Sequence, residues 1–408
     1  MRQRREGRAI VIGGSIAGLF AALELGRHGW NVDVYERSGS ALTGRGAGIV
    51  THPALRVALD DLGLDTVRDF GIAITRRRTL DRDGRVIGER ACPQIATSWN
   101  RLYELLQAAL PPERIHLGRD LRRVEQGAGS VTAHFADGGS QEGDLLVAAD
   151  GFRSAVRGQY WPAVQPLYAG YVAWRGLVEE SAFSPETHRD IFADFDFCLP
   201  PGEQMLGYPV AGEGNDLRPG RRRYNFVWYR PAAEETDLPR LLTDESGRTH
   251  AFGIPPPLIA RAVADEMRAQ AEAVLAPQFR EVVRLAPGSF LQPIYDLEAD
   301  RMAAGRVALV GDAAFVARPH VGGGIAKAVG DAVALAECLD REPGIPAALL
   351  SFEAARMPVG ARIVQRARHL GAYLQTHFRT EEERALAARH RSPEAVMAET
   401  ALLDFLDG

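Results

Sequence analysis

Cysteine is scarce in this chain: three among 408 residues, Cys92, Cys198 and Cys338, odd in number and without metal-ligand spacing. A disulfide framework is thereby excluded, no metal is expected, and a reducing compartment is implied. A basic excess is missing too. Lys and Arg number 48 against 53 Asp and Glu, a formal net charge of −5, so no nucleic-acid partner is expected, since such a face brings clustered cations. Long apolar runs are also lacking. No segment reaches the roughly twenty apolar residues that a membrane span requires, and no membrane partner is expected. Arg2, Arg4, Arg5 and Arg8 before an apolar stretch imitate a signal segment. That stretch is interrupted by Gly13-Gly14-Ser15, carries Glu24, and is fully explained as strand plus helix. The expected location is cytoplasmic. The length exceeds one compact core, so two domains are the prior.

What is present begins with Arg8–Glu36, RAIVIGGSIAGLFAALELGRHGWNVDVYE. Ala9–Ile12 is a short apolar strand, Gly13-Gly14-Ser15-Ile16-Ala17-Gly18 a tight turn, Leu19–Leu25 a helix, and Val32–Tyr35 a second strand closed by Glu36. This is the pattern of a dinucleotide-binding unit, in which glycines let the backbone approach a pyrophosphate at a helix N-terminus. Glu36 stands about twenty residues past the turn, where a carboxylate accepts hydrogen bonds from a ribose. Ser15 occupies the middle glycine position, so it must tolerate a close phosphate and could bond it through its hydroxyl. By itself the unit says only that a dinucleotide binds.

Thr43–Ile49, with Arg45 and Gly48, is too rich in glycine for a core helix and reads as a loop against a ligand, Arg45 being able to pair with phosphate or substrate. His52-Pro53 opens a helix. Arg76–Glu89 carries an Asp83-Gly84 hairpin signal. Ser98–Leu110 is an amphipathic helix with Ser98 as its N-cap. Four short strands follow: Ile115–Leu117, Leu121–Glu125, Ser130–Phe135 and Gln141–Val147. The last runs into Asp150-Gly151, and an aspartate at the carboxyl end of a parallel strand lies where such sheets hold ligands. Helix capping is an equally good account of it.

From Tyr168 the chain becomes aromatic and strand-rich, with Tyr171–Val178, Gln204–Pro209 and Arg223–Tyr229. The opening pattern returns at Arg306–Asp312, RVALVGD, followed by Phe315–Gly324 and an amphipathic helix over Ile325–Leu339. Gly322-Gly323-Gly324 at that helix start could let a planar ring lie against bare backbone. Ala354–Gln375 and Thr380–His390 read as helices, and the tail Pro393–Leu406 could be helical and could serve a subunit contact in a homodimer.

With Gly13–Gly18 and Glu36, Asp150-Gly151, and Gly311-Asp312 in this order, the chain resembles the single-component FAD-dependent aromatic hydroxylases, the class of p-hydroxybenzoate hydroxylase. The segments GGSIAG, VYERS, GRGAGI, TSW and GDAAFVARPH are most similar to the 2,6-dihydroxypyridine 3-monooxygenase branch. The resemblance implies an α/β fold: a Rossmann-like FAD-binding domain with an inserted β-rich substrate domain and a C-terminal helical segment. Residues 1–72, 97–165 and 286–375 would form the first domain. The hairpin 73–96 would join the substrate domain 166–285, and 376–408 would be the helical tail.

It further implies that Gly13, Ser15, Ile16, Ala17 and Gly18 line the pyrophosphate, that Glu36 holds the ribose, and that Arg37 flanks the adenosine. Arg45 and Gly48 would lie along the cofactor, Asp150 would serve FAD and the nicotinamide nucleotide, and Asp312 would meet the ribityl chain. Pro319, Val321, Gly322, Gly323, Gly324 and Ile325 would meet the isoalloxazine. Two departures stand out: Ser98-Trp99 where many relatives carry an Arg, and Phe315 where many carry a His, with His320 coming later. The implied reaction takes NADH or NADPH and O2 and hydroxylates an electron-rich, hydroxypyridine-like ring through a flavin hydroperoxide.

A base near the ring hydroxyl would help, and His52 and His320 are the candidates, although a lone histidine is more often structural. Tyr171, Trp174, Arg175, Met205 and Tyr208 could wall the ring, with plain sheet packing as the competing account of the aromatics. Three other readings stay open at this point: a nicotinamide-dependent dehydrogenase, an FAD reductase or halogenase on the same scaffold, and a flavin-binding module without turnover. The dehydrogenase leaves Gly311-Asp312 unexplained, and the W-x-W-x-I-P of a halogenase is missing.

Overall fold

The run Ala9–Ile12 is apolar, β-branched and buried, as a central parallel strand covered on both faces must be. In the computed structural model, which describes residues 7–42, 48–64, 70–378 and 380–406, it lies in β1 (Arg8–Ile12). Arg45 lies outside the described residues. The first part of the chain continues with α1 (Ile16–Arg27), β2 (Asn31–Glu36), β3 (Gly48–Val50), α2 (Pro53–Asp61), β4 (Ile72–Leu80), β5 (Val86–Ser98) and α3 (Trp99–Ala108). Then come β6 (Ile115–Leu117), β7 (Leu121–Gln126), β8 (Val131–Phe135), β9 (Ser140–Gly143), β10 (Leu145–Ala148) and α4 (Ala155–Tyr160). The middle holds β11 (Leu167–Glu179), α5 (Pro185–Ile191), β12 (Phe195–Cys198), β13 (Gln204–Val210), β14 (Arg223–Pro231), α6 (Asp237–Leu241), α7 (Arg261–Val274), α8 (Pro277–Leu285) and β15 (Phe290–Glu298). The last part adds β16 (Ala303–Ala304), β17 (Val307–Leu309), β18 (Phe315–Val316), α9 (Gly324–Arg341), α10 (Ile345–Leu370), α11 (Glu381–His390) and α12 (Pro393–Glu399).

Two large sheets organise these elements. The first has the order β16-β17-β10-β1-β2-β6 and is parallel apart from the edge strand β16. Helices α1 and α9 pack against each other beside it. The second runs β18-β15-β11-β14-β13-β12-β4-β5-β3, so the Asp83-Gly84 hairpin belongs to the aromatic sheet, with Gly84 at φ 86°. The expected single strand Gln141–Val147 is two. β9 completes a small β7-β8-β9 sheet and β10 enters the parallel one. The chain changes sheets at Asp144, whose carboxylate accepts from the Arg8 N–H (2.8 Å) while its own N–H donates to the Arg8 carbonyl (2.8 Å). The expected helix Ala354–Gln375 starts a full two turns earlier, at Ile345, and carries Pro358 inside it.

Strand alternation divides the aromatic sheet into two faces. Val172, Trp174, Met205 and Trp228 pack on one side against Phe279 and Val282 of α8. Tyr171, Ala173, Leu206, Tyr208, Val227 and Tyr229 occupy the other side, with Phe195 and Phe197. Only this second face looks toward the parallel sheet's glycine-rich loops.

Candidate active site

The turn after β1 is built from backbone. Gly13 sits at φ 106° and donates its N–H to the Tyr35 carbonyl at 2.8 Å. A Cβ there would lie 2.3 Å from the Ala149 carbonyl oxygen, and one at Gly18 would lie 1.9 Å from the Gly13 oxygen. Gly18 therefore closes the turn onto α1 rather than lining the groove. Ser15 is the N-cap of α1 but makes no side-chain capping bond, leaving its hydroxyl and the first N–H groups of the helix to a ligand. They open on a cavity of about 370 Å³, lined also by Gly13, Glu36, Arg37, Arg119, Asp150 and Gly151. Glu36 holds the turn from behind: its Oε2 accepts from the Gly14 N–H and its Oε1 from the Ser38 N–H, both at 2.8 Å.

Asp150 caps α4 and lines the cavity. Its Oδ2 accepts from the N–H groups of Ala155 (2.7 Å) and Val156 (3.3 Å), as a helix cap. Its Oδ1 is buried without a protein partner, and burial raises the carboxyl pKa above its ordinary value.

A second cavity, of about 400 Å³, shares Ser15, Ala149 and Gly151 with the first, so the two make one groove. Ile16, Ala17, Gly48, Asp312, Pro319, Gly322, Gly323, Gly324 and Ile325 line its near part. The Gly311 turn (φ 61°) is fixed by Asp331 of α9, whose Oδ2 accepts the Gly311 N–H at 2.9 Å while Arg356 holds Oδ1 at 2.8 Å. Asp312 is exposed to the groove, 3.5 Å from the Lys327 ammonium. Val321 is not at the surface of the groove. It is buried against Ile363 and Ala367, and Gly322 (φ 63°) takes the exposed position. His52 does not reach the cavity. Its Nε2–H donates to the Gly322 carbonyl at 3.0 Å, and burial lowers its pKa.

The far part of the cavity is aromatic. Arg175, Phe195, Leu206, Tyr208, Val227, Tyr229 and His320 line it. Of the five sequence candidates for a ring wall, Arg175 and Tyr208 are there and Tyr171 stands one layer behind. Trp174 and Met205 are a correction: they face the opposite side of the sheet, because neighbouring residues of a strand point to opposite faces. His320 is buried, its Nε2 is 2.8 Å from the Tyr171 hydroxyl, and its ring lies 4.3 Å from that of Tyr229. Burial, with Arg318 adding to it, pushes its pKa down to about 3. Tyr208 is pushed up to about 12 by burial. Arg318 is held by Asp296 through bonds of 2.9–3.1 Å.

The chain matches three families: FAD dependent oxidoreductase over residues 8–156, FAD binding domain-like over 168–296, and FAD binding domain over 292–367. It is 32% identical over 369 residues to 2,6-dihydroxypyridine 3-monooxygenase of Paenarthrobacter nicotinovorans, covering 90% of this chain and 91% of that one. It is also 32% identical over 384 residues to 3-amino-4-hydroxybenzoate 2-monooxygenase of Streptomyces cremeus, covering 90% and 87%. The solved 2,6-dihydroxypyridine-3-hydroxylase of Arthrobacter nicotinovorans superposes with a TM-score of 0.86 at 30% identity, covering 93% of this chain and 96% of that one. The chain is a FAD-dependent aromatic hydroxylase. Its cofactor is FAD.

The hydroxylase's own atoms suit that cofactor. The groove is bare backbone at Gly13 and Gly322–Gly324, and buried polar atoms without partners among the described residues include Asp150 Oδ1 and His320 Nδ1, both on residues that line it. Tyr229 and Phe195 escaped the motif reading because strand pairing, not spacing, brings them to the cavity. Among the described residues no helix is long and apolar enough to cross a membrane.

Proposed function

We propose that this hydroxylase acts on an electron-rich, hydroxylated heteroaromatic ring of the hydroxypyridine kind, held in the aromatic part of the groove. One observation carries the reading: Arg175 is a cation in an aromatic pocket with a hydrogen bond to Gln292 (2.9 Å) and no carboxylate partner among the described residues. Bound FAD activates O2 for transfer of one oxygen atom to the ring. The protein's part is position and electrostatics. Arg175 favours the ring hydroxyl as its oxyanion, the more reactive form, by lowering that hydroxyl's pKa. Tyr208 and Tyr229 wall the ring and keep water out.

Neither histidine then serves as the base. With a pKa near 3, His320 is neutral at working pH. The Tyr171 hydroxyl and His320 Nε2 share a 2.8 Å hydrogen bond, and a neutral imidazole that accepts it carries its hydrogen on Nδ1, which has no partner among the described residues. His52 is a positioning residue for the Gly322 carbonyl. The proposed division has residues 1–72, 97–165 and 286–375 carrying FAD and 73–96 and 166–285 carrying the ring, with β3, β15 and β18 of the first set pairing into the aromatic sheet.

The test is a panel of hydroxypyridines and phenols offered to the yellow protein with NADH and with NADPH. Ring-accelerated nicotinamide oxidation with a hydroxylated product is expected, strongest for hydroxypyridines. One oxidation rate whatever ring is added would sink the reading.

A further inference from the structure

The C-terminal tail carries no motif, yet it reaches the active site. After α12 the chain turns sharply: Thr400 is extended and Ala401 sits at φ 52°, one of two non-glycine residues with positive φ among those described. That conformation costs a non-glycine residue about 1 kcal/mol and persists only where surroundings over-determine it. They do. The Ala401 N–H donates to the His320 carbonyl at 2.7 Å, and the Ala401 carbonyl accepts from Gln94 Nε2 at 3.2 Å. Arg77, buried with no carboxylate bonded to it among the described residues, ties the same point together by donating to the Met397 carbonyl (2.8 Å) and to Gln94 Oε1 (2.6 Å). A Cβ placed on Gly322 would lie 2.9 Å from that of Ala401, so the tail rests directly on the loop that bare glycine opens to the cofactor.

Thr400 and Ala401 also line the cavity that holds Arg175, Tyr208 and Tyr229. Thr400 is largely buried, and its hydroxyl makes no hydrogen bond with any described residue. A threonine hydroxyl both donates and accepts, which suits the edge of a heteroaromatic ring where a nitrogen adjoins a hydroxyl or carbonyl oxygen. We propose that Thr400 is a specificity-determining residue that hydrogen-bonds such a ring edge, and that Ala401 is a positioning residue that holds the His320–Gly322 loop against the cofactor. The inference rests on the reading of this cavity as the ring chamber.

The FAD-loaded full chain tests it with 2,6-dihydroxypyridine and, as a carbocycle of equal shape, resorcinol. Thr400→Val keeps the volume and removes the hydroxyl. Its KM for 2,6-dihydroxypyridine should rise about 5- to 10-fold, as loss of one hydrogen bond predicts, while its KM for resorcinol shifts less than about twofold and FAD stays bound. Ala401→Gly fits φ 52° without strain, so its Tm should hold or rise, yet H2O2 released per NAD(P)H oxidised should increase because the loop loses its backing. Equal KM shifts for both rings, or none, would overturn the role of Thr400. Unchanged coupling in Ala401→Gly would overturn that of Ala401. A wild-type protein that answers neither ring would overturn the chamber reading itself, a result distinct from both.

Discussion

The two ends of the groove are made in opposite ways. The nucleotide end is local and backbone-built: Gly13, Ser15 and Gly18 come from one turn, and Glu36 clamps that turn through the Gly14 N–H. The ring end is assembled from afar. Arg175, Tyr208, Tyr229, His320 and Thr400 reach one cavity from β11, β13, β14, the loop before α9 and the C-terminal tail. A site built from consecutive backbone can bind the same cofactor in any relative. A site built from side chains on five segments can change its ring with few substitutions, at the cost of depending on the whole fold.

The sharpest way to break the contrast is at the backbone end. Gly18→Val puts side-chain atoms where even a Cβ would lie 1.9 Å from the Gly13 oxygen. The expected outcome is colourless protein and a stability loss above about 4 kcal/mol, read by the flavin absorbance and by urea unfolding. At the far end the largest effect should come from the scaffold. Arg318→Met strands Asp296 among buried groups with only Arg368, at 3.2 Å, left beside it. A loss of about 3 kcal/mol is expected, with FAD still bound because the nucleotide turn is untouched. Loss of FAD in that variant would mean the two ends are not separable.

Arg175→Met should leave stability and flavin content near wild type and raise the KM for hydroxypyridines about 10- to 100-fold. It should also move the rate profile to higher pH, because the ring hydroxyl must then ionise without help. An unchanged pH profile would remove Arg175 from the substrate's surroundings. A separate test, on acid stability rather than on activity, concerns His320. Its pKa falls from 6.5 to about 3 on folding, so the unfolded chain binds the extra proton. Stability from this group is fully present above pH 6.5 and is lost as the pH drops from there toward about 3. His320→Gln should flatten the acid limb of the Tm curve within that window, and a limb as steep as wild type would contradict the buried neutral imidazole.

How much was legible followed the same division. The unit Arg8–Glu36, the Asp83-Gly84 hairpin, the Ser98 cap and the helix after Gly322–Gly324 each depend on neighbours within a few residues, and they stand where the sequence puts them. The single strand over 141–147 was not readable as two, because the break at Asp144 depends on its pairing with Arg8, far away in the chain. Trp174 and Met205 show the limit most clearly. Aromatic and apolar residues alternate along these strands on both faces, and nothing in the alternation says which face meets a cofactor.

By itself the sequence determined a dinucleotide-binding unit and a separate strand-rich aromatic region, because turn chemistry and strand periodicity are local properties of a chain. Only the tertiary structure decided which side chains line the aromatic part of the groove. Strand register turned Tyr208 and Tyr229 inward and Trp174 away. Packing drained His320 of its basicity by shutting out water. A tail without a motif became a wall because hydrogen bonds from Gln94 and to His320 hold Ala401 in a backbone state it would not adopt alone.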